Sequence, residues 1–143
     1  MLVKVTRVDP QVVALANRHY SRDHPSTSVG SPARLLVLGD ALGRVAFVWS
    51  WPRDGYRKDG QNGANCELFR REGGPRASAL LLEAEQWVRQ TWPDVRRLFT
   101  YVDPTRVRSR NPGYCFLCAG WHREGVSAAG KLLLVKGVPC SSR

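Results

Sequence analysis

Long apolar runs, lysine and acidic residues are all scarce in this chain of 143 residues. No apolar run approaches the ~20 residues that a membrane-spanning helix needs, and the first ten residues lack the apolar block of a signal peptide. The hydrophobic fraction of 43% and the charged fraction of 24% exclude an intrinsically disordered chain. These absences predict a cytoplasmic protein without a membrane partner, with residues 1–143 forming one domain.

Sequence motifs for metal and nucleotide binding are also missing. Cys115 and Cys118 form a CxxC, but no second CxxC or histidine pair follows at zinc-finger spacing. We therefore predict buried structural thiols and no metal, although a metal at these cysteines or near His19 stays open. The chain has neither the Gly-Lys-Ser/Thr of a Walker loop nor a GxGxxG fingerprint.

Positive charge is abundant and is supplied almost entirely by arginine. Lysine and arginine number 22 against 12 acidic residues, a net charge of +10, and 18 of the 22 cations are arginine. Arginine binds phosphate bidentately and stacks on bases, so this balance favours a nucleic-acid partner. Codon bias in a GC-rich genome is the alternative explanation.

Hydrophobic periodicity predicts a mixed α/β chain without internal repeats. Asp9-Pro10 has the chemistry of a helix start, and Gly39–Gly43 that of a hairpin turn. The predicted order is β, α, loop, β, β, β, α, β, α, β, β. The strands are expected at Val3–Val8 and at 33–38, 44–51, 65–71, 97–102, 121–124 and 131–135, and the helices at 10–17, 76–90 and within 111–120.

The junction between the strand at 65–71 and the following helix predicts an anion site. Gly73-Gly74 lets an anion approach the backbone, and the helix that follows presents unpaired N–H groups and a positive dipole end. Arg70, Arg71 and Arg76 add positive charge at the same point. A phosphate or diphosphate is the simplest ligand, and an ordinary helix start after a turn is the alternative.

This junction resembles the diphosphate signature of the GNAT superfamily, the acyl-CoA-dependent N-acyltransferases. The signature reads Arg/Gln-x-x-Gly-x-Gly/Ala, and the segment 71–76 fits its first and fourth positions, with Arg76 at the sixth. The stretch Asn111…Tyr114…Gly120-Trp121 is similar to the family's last helix, with Phe116 where the family's tyrosine usually lies. The predicted element order also resembles the family across nearly the whole chain.

One branch of the superfamily is more similar still, the Mom DNA-modification proteins of bacteriophages, which modify adenine in DNA. The resemblance lies in His19-Tyr20-Ser21, in Leu68-Phe69-Arg70-Arg71 and in Val102-Asp103-Pro104 followed by Gly113-Tyr114. It implies a phage-encoded enzyme that acts in the host cytoplasm.

The family resemblance implies a fold, a cofactor and a set of site residues. The fold is a single α/β domain whose mixed central sheet splays between its two middle strands and is flanked by helices. The cofactor is acetyl-CoA or another acyl-CoA, and an amine attacks its thioester directly. The implied cofactor-binding residues are Leu68, Phe69, Arg71, Gly73, Gly74, Arg76, Ala77, Ser78 and Asn111. The candidates for the general base are His19, Glu67 and Asp103, and Tyr114 is the candidate acid.

Three hypotheses for the function stay open. In the first, the acceptor is a nucleobase in DNA or an amine installed on one, and in the second it is a small-molecule or protein amine. In the third, the protein is a non-catalytic nucleic-acid-binding module. DNA is the expected partner on charge and resemblance. The expected acceptor and phosphate contacts are Tyr20, Ser21, Trp51, Arg53, Arg57, Lys58, Arg106, Arg108 and Arg110.

Overall fold

A computed structural model describes residues 1–52, 60–107 and 111–139. The helices and strands, in chain order, are β1 Leu2–Val5, α1 Pro10–Asn17, β2 Arg34–Asp40, β3 Val45–Trp51, β4 Ala64–Arg71, α2 Ala77–Thr91, β5 Arg97–Val102, α3 Tyr114–Cys118, β6 His122–Val126 and β7 Leu132–Gly137.

The seven strands form one mixed sheet in the order β1-β2-β3-β4-β5-β7-β6. All neighbours pair antiparallel except β4 and β5, which are parallel. This parallel pair requires the crossover that α2 supplies between the two strands. The predicted order of elements is confirmed, as are the β2–β3 and β6–β7 hairpins.

The first strand and the last hairpin differ slightly from the sequence prediction. The strand β1 ends at Val5, short of Val8, because the Asp9 N–H bonds the Thr6 carbonyl at 3.1 Å and turns the chain. Val8 is 58% exposed as a result. The strand β6 extends to Val126, where a turn was expected from residue 125.

Alternation along β3 distributes apolar side chains to the two faces of the sheet. Val45, Phe47 and Trp49 pack in the cluster that includes α2 and α3, whereas Ala46 and Val48 pack in the cluster that includes α1. The helix α1 begins as predicted, with the Asp9 carboxylate accepting the Val12 N–H at 3.1 Å.

A buried ion pair connects α2 to the last hairpin. Glu85 of α2 is 7% exposed, and its carboxylate accepts bonds from the Lys136 ammonium at 2.7 Å and the Trp121 indole N–H at 2.9 Å. Lys136 also donates to the Ala119 carbonyl at 2.7 Å. These bonds satisfy groups that are costly to bury unpaired, and they fix α3 against α2.

The parallel pair of middle strands separates after two residue pairs. Only Ala64↔Leu98 and Asn65↔Phe99 are in register, although β4 continues to Arg71 and β5 to Val102. This confirms the expected splay, and the fold is that implied by the sequence resemblance. None of the helices in the described ranges is long and apolar enough to cross a membrane.

Candidate active site in the cleft between the middle strands

A cavity of about 980 Å³ opens where β4 and β5 part. Its walls come from the turn after α1, the segment just before β2, the end of β3, residues 65–69 of β4, residues 100–102 of β5 with Asp103 after it, and the start of α3. The Thr100 hydroxyl donates to the Cys66 carbonyl at 2.8 Å and bridges the strands beside their last paired residues. The splay therefore produces a cleft that reaches both strands' backbones.

A β-bulge at Glu67 marks the wall formed by β4. Val48 pairs with Leu68 and Trp49 pairs with Cys66, so Glu67 has no partner in the β3–β4 ladder. A bulge bends the strand and redirects side chains, and such features are frequent beside active sites. The Glu67 carboxylate accepts the Ser31 N–H at 3.2 Å and the Ser31 hydroxyl at 2.5 Å. These bonds hold the carboxylate at the cavity wall, and its remaining lone pairs stay available to a ligand.

His19 lies in the turn after α1 and also lines the cavity. Its Nδ1 accepts the Ser21 N–H at 3.1 Å and lies 2.7 Å from the Ser21 hydroxyl oxygen. Because a backbone N–H can only donate, the neutral ring carries its proton on Nε2. Burial, and next the charge of Arg70, lower the pKa of His19 to about 4, while a bond with the Phe69 backbone acts in the opposite direction.

Tyr20, Asp103 and Arg106 form the neighbouring edge of the cleft. The Tyr20 oxygen accepts the Asp103 N–H at 3.5 Å, and the Arg106 guanidinium lies 5.7 Å from the Tyr20 ring centroid. Burial raises the pKa of Tyr20, which keeps its hydroxyl protonated. Hydrogen bonds from the hydroxyl and N–H of Thr105 lower the pKa of Asp103, which weakens it as a base.

Tyr114 opens α3 at the other wall of the cavity and is 60% exposed, so it is not a core aromatic. A hydrogen bond with the Cys118 side chain raises the pKa of Tyr114. Cys66 and Cys115 also line the cavity, and burial raises the pKa of both thiols, which keeps them unreactive. The prediction of a buried thiol is wrong for Cys118, which is exposed because it lies on a different side of α3 from the buried Phe116. Within the described residues, no three His, Cys, Asp or Glu side chains are grouped to bind a metal.

The turn between β4 and α2 lies outside the cavity. The side chain of Arg71 stabilises this turn. The Arg71 guanidinium donates to the carbonyls of Gly74 at 2.9 Å and Pro75 at 2.6 Å, and thereby fixes the loop. The helix that follows has no side-chain cap and no acidic residue in its first turn. Its first N–H groups are left without helical partners, which is the property that an anion site requires.

Arg44 adds a cation to this turn that the sequence analysis missed. Its side chain lies so close to Gly73 that a Cβ at that position would be 3.0 Å from the Arg44 Cδ. The neighbouring Glu72 bonds both Arg18 and Arg70, at 2.8 and 2.6 Å, and these bonds lower its pKa to about 2. Arg44 follows a hairpin turn distant in sequence, so no local motif indicated it.

Some of the remaining predicted site residues line the cavity and others do not. Leu68, Phe69, Ser21 and Asn111 line the cavity, and Asn111 also accepts a bond from Arg123 at 3.1 Å. Trp51 does not line it, and its ring instead packs against the Arg34 guanidinium, 4.1 Å from the ring centroid, and against Trp92. The predicted phosphate contacts Arg53, Arg57, Lys58, Arg108 and Arg110 lie outside the described residues.

The polar residues of the cavity wall that were not predicted include Ser31, Ser50 and Asn65. The signal for two of them was present, since Ser50 and Asn65 interrupt otherwise apolar strand segments. Ser31 lies in a loop rich in Ser, Pro and Gly, where nothing in the local sequence distinguishes it.

Solved structures with similar folds are acetyltransferases. An acetyltransferase from Thermus thermophilus superimposes with a TM-score of 0.58 at 16% identity, over 96% of this chain and 97% of that chain. An aminoglycoside acetyltransferase in complex with coenzyme A gives a TM-score of 0.57 at 14% identity, over 96% and 94%. The sequence itself matches no protein-family model and no curated protein. These similarities show that the chain has the fold of these acetyltransferases, which agrees with the expected architecture.

The environment of His19 predicts an unusual titration. We expect one of the three histidines to titrate with a midpoint near 4, and its Cε1–H resonance to be missing from the NMR spectrum of His19→Gln. The unfolded chain binds this proton near pH 6.5 and the folded chain only near 4, so the His19 contribution to stability falls as the pH drops through that interval. A His19 midpoint near 6.5 contradicts the described packing.

Proposed function

We propose that this protein is an acyl-CoA-dependent N-acyltransferase. The observation that carries the proposal is the parting of the parallel pair β4 and β5 at a cavity, together with an uncapped helix N-terminus after the turn that follows β4. An extended pantetheine arm fits a gap between strands because it can pair with backbone groups there. The similarity in fold to a coenzyme A complex supports this cofactor.

The cofactor's diphosphate fits the beginning of α2. The N–H groups of Ala77 and Ser78 have no side-chain cap to compete with, and the helix dipole favours negative charge at that end. Arg44 and Arg76 supply nearby positive charge, and Arg71 holds the Gly73-Gly74 turn in shape. Asn111, which lines the cavity, is the remaining cofactor contact in this proposal.

The reaction is a direct transfer. The acceptor nitrogen attacks the thioester carbonyl carbon, the C–N bond forms, and the C–S bond breaks to release the coenzyme A thiolate. A backbone N–H of Leu68 or Phe69, beyond the bulge, stabilises the oxyanion that develops on the carbonyl. One proton leaves the nitrogen for a base, and the thiolate takes one from the hydroxyl of Tyr114, which lines the cavity at the start of α3.

Glu67 is the best placed of the three candidate bases. Its carboxylate lies at the cavity wall and is held by Ser31, with lone pairs to spare. The Nδ1 of His19 is already occupied by the Ser21 N–H, and its Nε2 carries the proton. Asp103 is bonded twice by Thr105 and its pKa is lowered. His19 and Asp103 therefore act by shaping the edge of the cleft in this proposal.

The acceptor that we favour is an amine of a nucleobase in DNA, as the Mom-like resemblance implies. Two observations support it: the net charge of +10, and the positive charges of Arg70, Arg106 and Arg22, which act on His19 at the cavity wall. A small-molecule amine is the second candidate, because the acceptor end of the cavity itself holds the carboxylate of Glu67, which suits a cationic amine.

Acetyl-CoA binding is the first test of the proposal. Ser78→Glu places a carboxylate in the first turn of α2, where it repels a diphosphate but favours the helix dipole. We expect calorimetry to show at least about tenfold weaker acetyl-CoA binding without loss of thermal stability, a change of about 1.4 kcal/mol. Gln86→Glu, exposed on the same helix, is the matched control and should bind normally. Equal binding by both variants and the native protein contradicts the assigned diphosphate site.

The assignment of the base is tested by paired variants. Glu67→Gln should lower kcat about 100-fold or more, since general-base catalysis contributes roughly 10²–10⁴-fold, and should leave acetyl-CoA affinity unchanged. His19→Gln should lower kcat less than about tenfold. The measurement is release of coenzyme A thiol in the presence of primary amines or DNA. A larger loss for His19→Gln reverses the assignment.

Binding to duplex DNA discriminates between the two acceptors. We expect the Kd for an oligonucleotide duplex to rise at least about tenfold between 50 and 200 mM salt. Arginine and lysine side chains that bind the phosphates release the counterions condensed on the DNA, and added salt opposes this release. Arg106→Gln should reduce the slope of log Kd against log salt by about one, whereas Arg89→Gln, on α2, should not. Absence of binding at 50 mM salt excludes the DNA acceptor and leaves the small-molecule or protein amine.

A further inference from the structure

Ser50, at the end of β3, is a buried polar side chain without a partner. It is 1% exposed, it lines the cavity, and its hydroxyl oxygen makes no hydrogen bond within the described part of the chain. Burying a hydroxyl without a partner costs free energy, so such a group in a cavity wall indicates that a ligand completes it. The other buried cavity hydroxyl, that of Thr100, is satisfied by the Cys66 carbonyl.

The strand register explains why Ser50 lies at the cavity. Ala46, Val48 and Ser50 occupy one face of β3, and α1 covers the first two in its apolar cluster. Ser50 lies beyond that cluster and directly opposite Asn65, which is 8% exposed and also lines the cavity. The bulged Glu67 follows two residues later on the same strand.

Together, Ser50, Asn65 and Glu67 present a defined hydrogen-bonding pattern. The Ser50 hydroxyl and the Asn65 amide each offer both a donor and an acceptor, whereas an ionised Glu67 carboxylate only accepts. A simple alkylammonium supplies donors alone and leaves the donors of Ser50 and Asn65 unmatched. An amine with a hydrogen-bond acceptor on a neighbouring atom, such as a ring nitrogen or carbonyl oxygen, satisfies all three.

We infer that Ser50 and Asn65 form a specificity subsite for an acceptor whose amine lies beside a hydrogen-bond acceptor, as in an amidine or carboxamide edge. The inference rests on the proposed function, because it assigns the acceptor end of the same cleft. Glu67 accepts a hydrogen bond from the reacting nitrogen, and Ser50 and Asn65 donate to the hydrogen-bond acceptor on the neighbouring atom. Ser50 is a specificity-determining residue here, and it takes no part in bond making.

Two hydroxyl variants test the subsite in the whole protein. Ser50→Ala removes an unsatisfied hydroxyl, so we expect the melting temperature of the free protein to rise by about 2–4 °C. Thr100→Val removes a satisfied hydroxyl from the same cavity and should lower the melting temperature. A fall for Ser50→Ala overturns the inference, because it shows that the hydroxyl already has a partner.

Ligand-observed NMR on the coenzyme A-loaded protein supplies the second readout. Cytidine, whose amine lies beside a ring nitrogen, should give a saturation-transfer signal that weakens at least about threefold in Ser50→Ala, whereas any propylamine signal should not change. No cytidine signal in the native protein, or an unchanged signal in Ser50→Ala, overturns the subsite. If coenzyme A does not bind but cytidine still binds in a Ser50-dependent way, the proposed function fails and the subsite stands.

Discussion

The separation of two parallel strands is the constraint on which the rest of this structure depends. After Asn65 and Phe99 the strands β4 and β5 diverge, and the bulge at Glu67 bends β4 at the same level. Strand edges that lose their partners need other hydrogen bonds, because buried backbone groups are costly to leave unpaired. A side-chain hydrogen bond from the Thr100 hydroxyl to the Cys66 carbonyl crosses the opening. The remaining edge of β4 lines a cavity, and an extended ligand is the natural partner for it.

Charged and polar groups in and near the cleft complement such a ligand. The uncapped start of α2, with Arg44 beside Gly73, lies outside the cavity and favours an anion there. The cavity wall holds the Glu67 carboxylate and two buried neutral side chains, Ser50 and Asn65, which favour a polar group with donors. In the proposed function, the first of these places binds the diphosphate of an acyl-CoA and the second binds the acceptor amine.

The element order could be predicted from local patterns, but the site could only partly be predicted. Strand alternation, the Asp9-Pro10 helix start and the turn at 39–43 are local signals, and the structure agrees with each. The bulge at Glu67 depends on the register between β3 and β4, which the sequence does not specify by itself. Arg71 was expected to contact a phosphate, but it donates to the carbonyls of Gly74 and Pro75. The turn brings these carbonyls, three and four residues later in the chain, next to its guanidinium. Trp51 packs against Arg34 and Trp92, contacts distant in sequence.

A crystal structure of the protein with coenzyme A tests the central claim most directly. The account predicts that the pantetheine arm lies between β4 and β5 beyond Asn65, and that the diphosphate contacts the N–H groups of Ala77 and Ser78. Coenzyme A bound elsewhere on the surface, or strands β4 and β5 joined by hydrogen bonds through Phe69 in the complex, would contradict it.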